Sequence, residues 1–299
     1  PWVRIPPLPQ MSKHRSLALA KTDFLAYYSR ILPHLDLESY LSRKNSPVLL
    51  FSPPHEPELR QMIAKAKLSW ELLDWFPYAI QRPPEVPISD SLPGFTQGWL
   101  YSLNPASLLP ILALHPQAGD SILDASAAPG GKTLAILNFT YPKIPTLIAN
   151  DVSSLRFKRL KTTLKLFGHP EIPVTRHPIQ ALPHVLQGQF NKILLDAPCS
   201  SEKHVFNSKR HLKIWSPNRI TNLVHLQQLL INSLLSLLKP GGLLVYSTCA
   251  LSYDENENQV ATILESHPEL KLACPPQRIN DPQSSYDPMF VASLKKLGF

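Results

Sequence analysis

Short apolar stretches alternate with longer amphipathic stretches from about residue 107 onward, and this alternation constrains the fold more than any other feature. Strands that alternate with helices form a parallel sheet with helices on both faces. The apolar runs predict strands over 121–125, 146–150, 172–175, 192–196 and 243–248. Helical periodicity predicts helices over 106–114, 131–137, 154–166, 218–238 and 254–265. The fold class is therefore α/β, with a Rossmann-like sheet in a domain over 106–299.

Residues that favour helix ends support this pattern. Ser153 is placed to cap the helix over 154–166, and Gly168 follows that helix directly. Gly241 and Gly242 are expected to break the long leucine-rich helix before the last strand begins.

The preceding residues, 11–105, are punctuated by prolines and predict a small α+β domain. Helices are expected over 18–32 and 57–67, with a strand over 48–51 between them. A second extended stretch is expected over 72–80 and around 83–84.

Residues 1–10 precede Met11 and are rich in proline, so we expect them to be a non-native or disordered leader. They lack the apolar segment of a signal peptide.

Composition excludes several classes of protein. Apolar residues make up 43% of the 299 residues and charged residues 17%, as in globular proteins. The apolar runs are far shorter than the ~20 residues of a membrane span. Three cysteines without a Cys-x-x-Cys pair give neither a disulfide scaffold nor a zinc site. We therefore expect a cytoplasmic monomer without a metal, and the net charge of +8 favours a polyanionic partner.

A glycine-rich junction follows the first strand of the sheet and opens a helix. It reads Asp124-Ala125-Ser126-Ala127-Ala128-Pro129-Gly130-Gly131-Lys132-Thr133. Small residues let a ligand approach the backbone, and amides at a helix start hold carboxylate or phosphate groups. The next strand ends in Asn150-Asp151, where an acidic residue commonly binds ribose hydroxyls.

A P-loop nucleoside triphosphatase is the alternative interpretation of this junction. Gly131, Lys132 and Thr133 fit the end of a P-loop, and the strand over 193–196 is typical of a Mg²⁺-binding strand end. However, Ser126 stands where the first glycine is required, and Pro129 lacks an amide donor.

Two cysteines follow strand ends at the edge of the sheet where a ligand should bind. Cys199 follows Asp196-Ala197-Pro198, and Cys249 follows Ser247-Thr248. Carbon 5 of cytosine is a weak nucleophile, but a thiolate that adds to carbon 6 makes it reactive. A carboxylic acid such as Asp196 can stabilise ring nitrogen 3, and a second thiol can assist product release. One aspartate and two cysteines therefore fit cytosine-5 methylation from S-adenosylmethionine, on a cytosine extruded from its helix.

The combined motifs resemble those of the Sun-family (Fmu/nucleolar-protein-type) RNA cytosine-5 methyltransferases. The similarity runs from roughly residue 20 to the end of the chain. The matching segments are 126–133, 150–151, 196–200, 215–217, 239–243, 246–249, 255–257 and the closing strand over 288–292.

This resemblance implies roles for individual residues. Cys249 is implied as the nucleophile, Cys199 as the group that promotes product release, and Asp196 as a residue between cofactor and base. The implied S-adenosylmethionine-binding residues are Ser126, Ala127, Ala128, Pro129, Gly130, Gly131, Lys132, Asp151, Arg156 and Asp196. The family usually has cysteine at the position of Ser126. It often has Asp-Gly-Arg where this chain has 177–180, so no residue is assigned to the cofactor adenine.

Basic residues after Cys199 are the predicted RNA contacts, namely Lys203, Lys209, Arg210 and Lys213. A second set of basic residues lies on the helix predicted over 154–166. An RNA contact and a solvated helix face explain this set equally well. The resemblance makes 11–105 an RNA-positioning domain and 106–299 the catalytic domain. Ribosomal RNA is the expected substrate and transfer RNA the alternative. A non-catalytic RNA-binding relative would not need both cysteines.

Overall fold

The computed structural model of the chain describes residues 16–44, 46–83, 87–186, 190–280 and 286–298. The predicted leader over 1–10 and Pro84 lie outside the described residues. Within these ranges, every helix is too short or too polar to cross a bilayer.

The first part of the chain contains helices and a small antiparallel sheet. Its elements are α1 (Leu17–Ile31), α2 (Leu37–Ser42), β1 (Val48–Phe51), α3 (Glu56–Lys65), β2 (Ala79–Gln81) and β3 (Leu100–Leu103). Among the described residues, β1 is the central strand and pairs with β2 on one side and β3 on the other. The helices predicted over 18–32 and 57–67 and the strand over 48–51 are thus confirmed to within two residues.

The extended stretch predicted over 72–80 is wrong in its middle. Leu72 forms a single antiparallel bridge with Ile80, and the chain between them turns back on itself. Tyr78 has a φ of 53°, a left-handed conformation that ends extended structure. The strand therefore begins only at Ala79.

The rest of the chain forms the larger α/β unit. Its elements are α4 (Leu109–Leu114), β4 (Ser121–Asp124), α5 (Gly131–Thr140), β5 (Thr146–Asn150), α6 (Ser154–Leu166), β6 (Val174–Thr175), β7 (Phe190–Asp196), α7 (Glu202–Phe206), α8 (Lys209–Ile214), α9 (Asn218–Leu235), β8 (Leu238–Thr248), α10 (Glu257–Ser266), β9 (Leu270–Leu272), β10 (Gln277–Ile279) and β11 (Met289–Lys296).

A mostly parallel sheet runs through this unit and confirms the predicted α/β class. Within the described residues its order is β10-β11-β8-β7-β4-β5-β6, with β9 also paired to β11. The strands from β8 to β6 are parallel, while β11 is antiparallel to β8. The chain moves from β4 to β5 and β6 and then returns to β7 on the other side of β4. The switch point, where ligands bind in such sheets, therefore lies between the carboxyl ends of β4 and β7.

The predicted helix end at Gly241 and Gly242 is wrong. The helix α9 ends at Leu235, and both glycines lie inside β8. Phe190 of β7 pairs with Leu238, but Lys192 pairs with Leu243, so 239–242 form a bulge in β8. Gly241 has a φ of +77°, which suits this bulge.

Several other element boundaries also differ from the prediction. The last helix starts at Glu257 rather than 254, since 253–256 form a turn in which the Asn256 amide donates to the Tyr253 carbonyl. The strand expected over 172–175 shortens to Val174–Thr175. The cap of α6 is confirmed, because the Ser153 hydroxyl accepts from the Arg156 amide at 3.4 Å.

The part of the chain before residue 105 packs tightly against the larger α/β unit. Phe24 and Tyr28 of α1 are fully buried, and both rings contact the Trp215 ring. On another side, the Asn138 side chain of α5 donates to the Phe51 carbonyl of β1 at 2.9 Å. An aromatic cluster and a buried hydrogen bond thus fix the small sheet and α1 against the larger unit.

We predict that Asn138→Leu lowers the free energy of unfolding by about 1–3 kcal/mol, because it leaves the buried Phe51 carbonyl without its donor. Urea denaturation of the full chain measures this effect. The matched control is Asn258→Leu, since the Asn258 side chain is exposed on α10 and its one hydrogen bond within the described residues is to Asp254. A loss no larger than that of the control would contradict the role of Asn138.

Candidate active site

The loop between β4 and α5 lines a cavity at the switch point. A cavity of about 150 Å³ is lined by Tyr101, Ser102, Leu103, Ser107, Ser126, Ala127, Ala128, Pro129, Gly131, Lys132 and Asp196. Seven of the predicted cofactor residues are therefore brought together here. Gly131 has no room for a side chain, because a Cβ there would lie 2.8 Å from Cε1 of Tyr101. Gly130 packs toward α6 and has a φ of +114°, so its glycine is required by the turn.

Asp151 and Arg156 lie beside this loop and connect to its backbone. The Arg156 guanidinium donates to the Ala128 carbonyl at 2.8 Å and lies 3.2 Å from the Asp151 carboxylate. The other oxygen of Asp151 accepts from the Ser153 amide at 2.9 Å. Asp151 is thereby fixed at the carboxyl end of β5, as a ribose-binding role requires.

Asn150 orders the segment where the sequence departs from the resembled family. Its amide donates to the carbonyls of Ala125 and His177 and accepts from the His177 amide and the Thr175 hydroxyl. The donor–acceptor distances of these four hydrogen bonds are between 2.9 and 3.1 Å. The side chain thus ties the end of β4 to the chain after β6.

Asp124 is a buried carboxylate beneath the glycine-rich loop. One oxygen accepts from the Thr133 hydroxyl at 2.7 Å, while the other has no hydrogen-bond partner among the described residues. Burial raises the pKa of Asp124 to about 7. An orphaned acidic oxygen, a side-chain-free cradle at Gly131 and the fixed Asp151 together fit a ligand with ammonium and ribose groups, such as S-adenosylmethionine.

The two cysteines predicted at the edge of the sheet lie against each other after the ends of β7 and β8. The Sγ atoms of Cys199 and Cys249 are 3.3 Å apart, and no disulfide joins them. The Ser201 hydroxyl lies 3.3 Å from each sulfur. Ser201 adopts a left-handed backbone, with a φ of 53°, that brings its hydroxyl between the two thiols.

Hydrogen bonding makes the two cysteines electrostatically different. A hydrogen bond from the Cys199 thiol lowers the pKa of Cys249, and the Ser201 hydroxyl lowers it further. The same sulfur–sulfur contact, together with burial, raises the pKa of Cys199 well above the usual range of a thiol. Of the two thiols, Cys249 is therefore the one that loses its proton more readily, as suits a nucleophile beside a thiol that keeps its proton.

Asp196 and Lys132 form an ion pair between the thiols and the loop. The Lys132 Nζ lies 2.8 Å from one Asp196 oxygen, and the Ser247 hydroxyl donates to the other oxygen at 3.0 Å. Negative charge on Asp196 raises the pKa of Lys132 despite burial of the lysine.

The predicted RNA contacts lie on two short helices that the sequence pattern did not reveal. Lys203 lies on α7, and Lys209, Arg210 and Lys213 lie on α8. Lys203 is already paired with Asp287 at 3.0 Å and is mostly buried, which disfavours a phosphate contact for it. The three basic residues of α8 are exposed and remain predictions.

Sequence reasoning missed four contributors to the site. Tyr101 covers the loop from the small sheet, and Ser201 touches both thiols. Glu202 and Glu255 are fully buried behind the cysteines. Two sequence signals could have indicated the glutamates: the motif over 255–257, to which no role is assigned above, and the polar run over 200–202 after a strand end.

No group of three or more histidine, cysteine, aspartate or glutamate side chains in the described parts of the chain is arranged to bind a metal ion.

Comparison with known proteins relates this site to RNA methyltransferases. Residues 111–295 match the family model described as 16S rRNA methyltransferase RsmB/F. The chain is 36% identical over 231 residues to the mitochondrial tRNA (cytosine(34)-C(5))-methyltransferase of Danio rerio, covering 67% of this chain and 62% of that protein. It is 37% identical over 217 residues to ribosomal RNA small subunit methyltransferase B of Vibrio cholerae, covering 69% of this chain and 48% of that protein. The chain thus spans less than two thirds of the length of these relatives.

Solved structures share the fold over nearly the whole chain. A methyltransferase homolog protein from Pyrococcus horikoshii superposes with a TM-score of 0.77 at 22% identity, covering 93% of this chain and 99% of that one. The NSun6 structure with SFG from the same organism also gives a TM-score of 0.77, at 19% identity, covering 94% of this chain and 98% of that one.

We predict that Cys199→Ala moves the pH midpoint of Cys249 alkylation upward, because the variant removes the donor that lowers the pKa of Cys249. Iodoacetamide labelling followed by peptide mass spectrometry at several pH values measures this midpoint. Cys274 is exposed and serves as the internal control, whose labelling should not respond to the substitution. An unchanged midpoint at Cys249 would show that the two thiols do not interact.

Proposed function

Because the chain belongs to the 16S rRNA methyltransferase RsmB/F family, we propose that it is an S-adenosylmethionine-dependent RNA cytosine-5 methyltransferase. The observation that carries this proposal is the pair of thiols 3.3 Å apart beside the Lys132–Asp196 ion pair. Two thiols and a fixed carboxylate at a switch point are the groups that covalent activation of cytosine requires.

The glycine-rich loop is the proposed cofactor site. When bound, S-adenosylmethionine supplies an electrophilic methyl group. The loop backbone over 126–132 would contact it, and Asp151 would accept hydrogen bonds from its ribose. Arg156 holds Asp151 and the Ala128 carbonyl in one arrangement, so its proposed contribution is to shape the site.

Cys249 is the proposed nucleophile. Its thiolate adds to carbon 6 of the cytosine, and the electrons of the 5,6 double bond make carbon 5 nucleophilic. After methylation, solvent takes the proton from carbon 5, the electrons of that C–H bond re-form the 5,6 double bond, and the sulfur leaves carbon 6 as a thiolate. Cys199 lies against the departing sulfur and is the proposed group that promotes this release.

Asp196 is the proposed partner of the cytosine ring. Its two oxygens are held by Lys132 and Ser247, so the carboxylate keeps one orientation beside the thiols. A carboxyl group in this position can stabilise the ring nitrogen and the exocyclic amine as charge develops at the ring.

The RNA substrate remains part of the proposal. Relatives are named for both small-subunit ribosomal RNA and transfer RNA. Ribosomal RNA is favoured by the family model, with the exposed basic face of α8 as the phosphate contact. An RNA-positioning domain over 11–105, a monomeric state and a cytoplasmic location also remain predictions.

We predict that Cys249→Ala abolishes methylation while retaining affinity for S-adenosylmethionine, since Cys249 lies outside the cavity-lining loop. Cys199→Ala should accumulate a covalent protein–RNA adduct, seen as a slow band on a denaturing gel. Methyl transfer to total RNA from cells lacking the gene, read by bisulfite sequencing, measures the activity. The control Cys274→Ala should behave as wild type. Activity retained by Cys249→Ala would overturn the nucleophile assignment.

We further predict that Asp151→Asn weakens S-adenosylmethionine binding about tenfold or more, as expected for loss of a charged hydrogen bond. Isothermal titration calorimetry measures the affinity. Asp254→Asn is the matched control, because Asp254 is exposed and bonds to Asn258 on α10. Equal affinities for the two variants would contradict the ribose-binding role.

A further inference from the structure

Two buried carboxylates lie directly behind the cysteines, and the reaction described above uses neither. Glu202 and Glu255 are both fully buried. The hydroxyl of Ser200 is within hydrogen-bond distance of one oxygen of each. Charged groups in such a position are costly unless every oxygen finds a donor. The donors around each carboxylate therefore show how the pair is accommodated.

Donors surround Glu202 on both of its oxygens. The Tyr28 hydroxyl donates to Oε1 at 2.7 Å, and the Leu251 amide donates to Oε2 at 2.9 Å. Both donors are independent of Ser200. This pattern fits an ionised carboxylate, which only accepts hydrogen bonds.

Glu255 has donors on only one oxygen. Its Oε1 accepts from the Ser200 amide at 2.9 Å and from the Gln227 side chain at 3.0 Å. The only partner of Oε2 within the described chain is the Ser200 hydroxyl. A hydroxyl has one hydrogen and cannot donate to two carboxylates at once.

One of the two carboxyl groups must therefore carry a proton that it donates to Ser200. Glu202 already accepts a hydrogen bond from an independent donor on each of its oxygens, Tyr28 on one and Leu251 on the other, which favours the other carboxyl as the site of the proton. Glu255 has the free position on Oε2. The two hydrogen bonds that meet these constraints run from the Glu255 carboxyl proton to the Ser200 oxygen, and from the Ser200 hydroxyl hydrogen to Glu202.

We propose that Glu202, Ser200 and Glu255 form a positioning unit that shares one carboxyl proton, held on Glu255, and keeps Cys199 and Cys249 in contact. Its link to methylation rests on the proposed function, but its proton and its geometry do not.

The unit joins the two cysteine loops through their backbones. Ser200 follows Cys199 directly, and Leu251 lies two residues after Cys249. The Glu255 carbonyl also accepts from the Tyr246 hydroxyl of β8 at 2.6 Å. The loop after β7 is thus bonded to Glu255 through Ser200, the loop after β8 is bonded to Glu202 through Leu251, and α1 contributes through Tyr28.

The surroundings of Glu255 favour the protonated form. The titratable groups facing it are Glu202 and Cys199 after β7, Tyr27 and Tyr28 of α1, and Tyr246 of β8. None of these groups is a cation. Burial, followed by the charge of Glu202, raises the pKa of Glu255 to about 7, from an ordinary value near 4.5.

A raised pKa in the folded state fixes the sign of the pH effect. Glu255 contributes fully to stability below its unfolded pKa, and this contribution is lost as pH rises from about 4.5 to about 7. Glutamine at position 255 reproduces the protonated acid, since it accepts at one atom and donates at the other. Alanine at position 202 removes the acceptor of both the Tyr28 hydroxyl and the Leu251 amide.

Thermal unfolding of the full chain between pH 5 and pH 8 tests the proton. We expect the melting temperature of Glu255→Gln minus that of wild type to increase with pH up to about 7 and then level off. The control is Glu265→Gln, which changes an exposed carboxyl on α10 and should show no such trend. A difference that does not change with pH would overturn the shared proton.

Cross-linking of the thiols tests the positioning role. Diamide oxidises Cys199 and Cys249 to a disulfide and is itself reduced to the hydrazine, and peptide mass spectrometry follows the rate. We expect Glu255→Gln to retain the wild-type rate at pH 6, and both Glu255→Ala and Glu202→Ala to slow it about tenfold. Unslowed cross-linking in Glu202→Ala, or equal loss in Glu255→Gln and Glu255→Ala, would overturn the proposal. If Glu202→Ala does not fold, the comparison at position 255 decides. Neither experiment uses RNA, so its failure is distinct from failure of the proposed function.

Discussion

The contact between the Cys199 and Cys249 sulfurs depends on the parallel pairing of β7 with β8. Asp196, near the end of β7, lies in register with Ser247, near the end of β8. The two segments that follow therefore leave the sheet side by side. Cys199 lies three residues after Asp196, and Cys249 lies two residues after Ser247. A slip in this register would separate the thiols and also break the hydrogen bond between Ser247 and Asp196. Because 239–242 bulge out of β8, the residues after the bulge come into this register although the strand begins soon after the end of α9.

The sheet and the position of its ligand-binding edge could be predicted because their signals are local. Apolar runs defined the strands, and strand ends placed Asp151, Asp196, Cys199 and Cys249 at one edge. The sequence did not reveal the end of α9 at Leu235, since leucines continue through Leu238 and the pairing of β8 with β7 decides which residues become strand. Tertiary pairing in this case overrides local propensity.

The buried charges could not be predicted for a different reason. A glutamate in a single sequence is most simply interpreted as exposed, because an unpaired buried carboxylate is unfavourable. Glu202 and Glu255 are buried because donors from α1, α9 and the loop after β8 converge on them. Those donors are far apart in the chain, so only the folded structure shows them together. The position of Tyr101 against Gly131 is a long-range contact of the same kind.

The central claim is that the Cys249 thiolate, and not the Cys199 thiol, forms a bond to cytosine. RNA that contains 5-fluorocytosine tests it directly, because the fluorine blocks the loss of a proton from carbon 5 and leaves the sulfur–carbon bond intact. Peptide mass spectrometry of the trapped wild-type complex then identifies the bonded residue. The account predicts a modified peptide that contains Cys249 and an unmodified Cys199. A nucleotide on Cys199, or methylation of ordinary RNA without any trapped adduct on the fluorinated RNA, would contradict it.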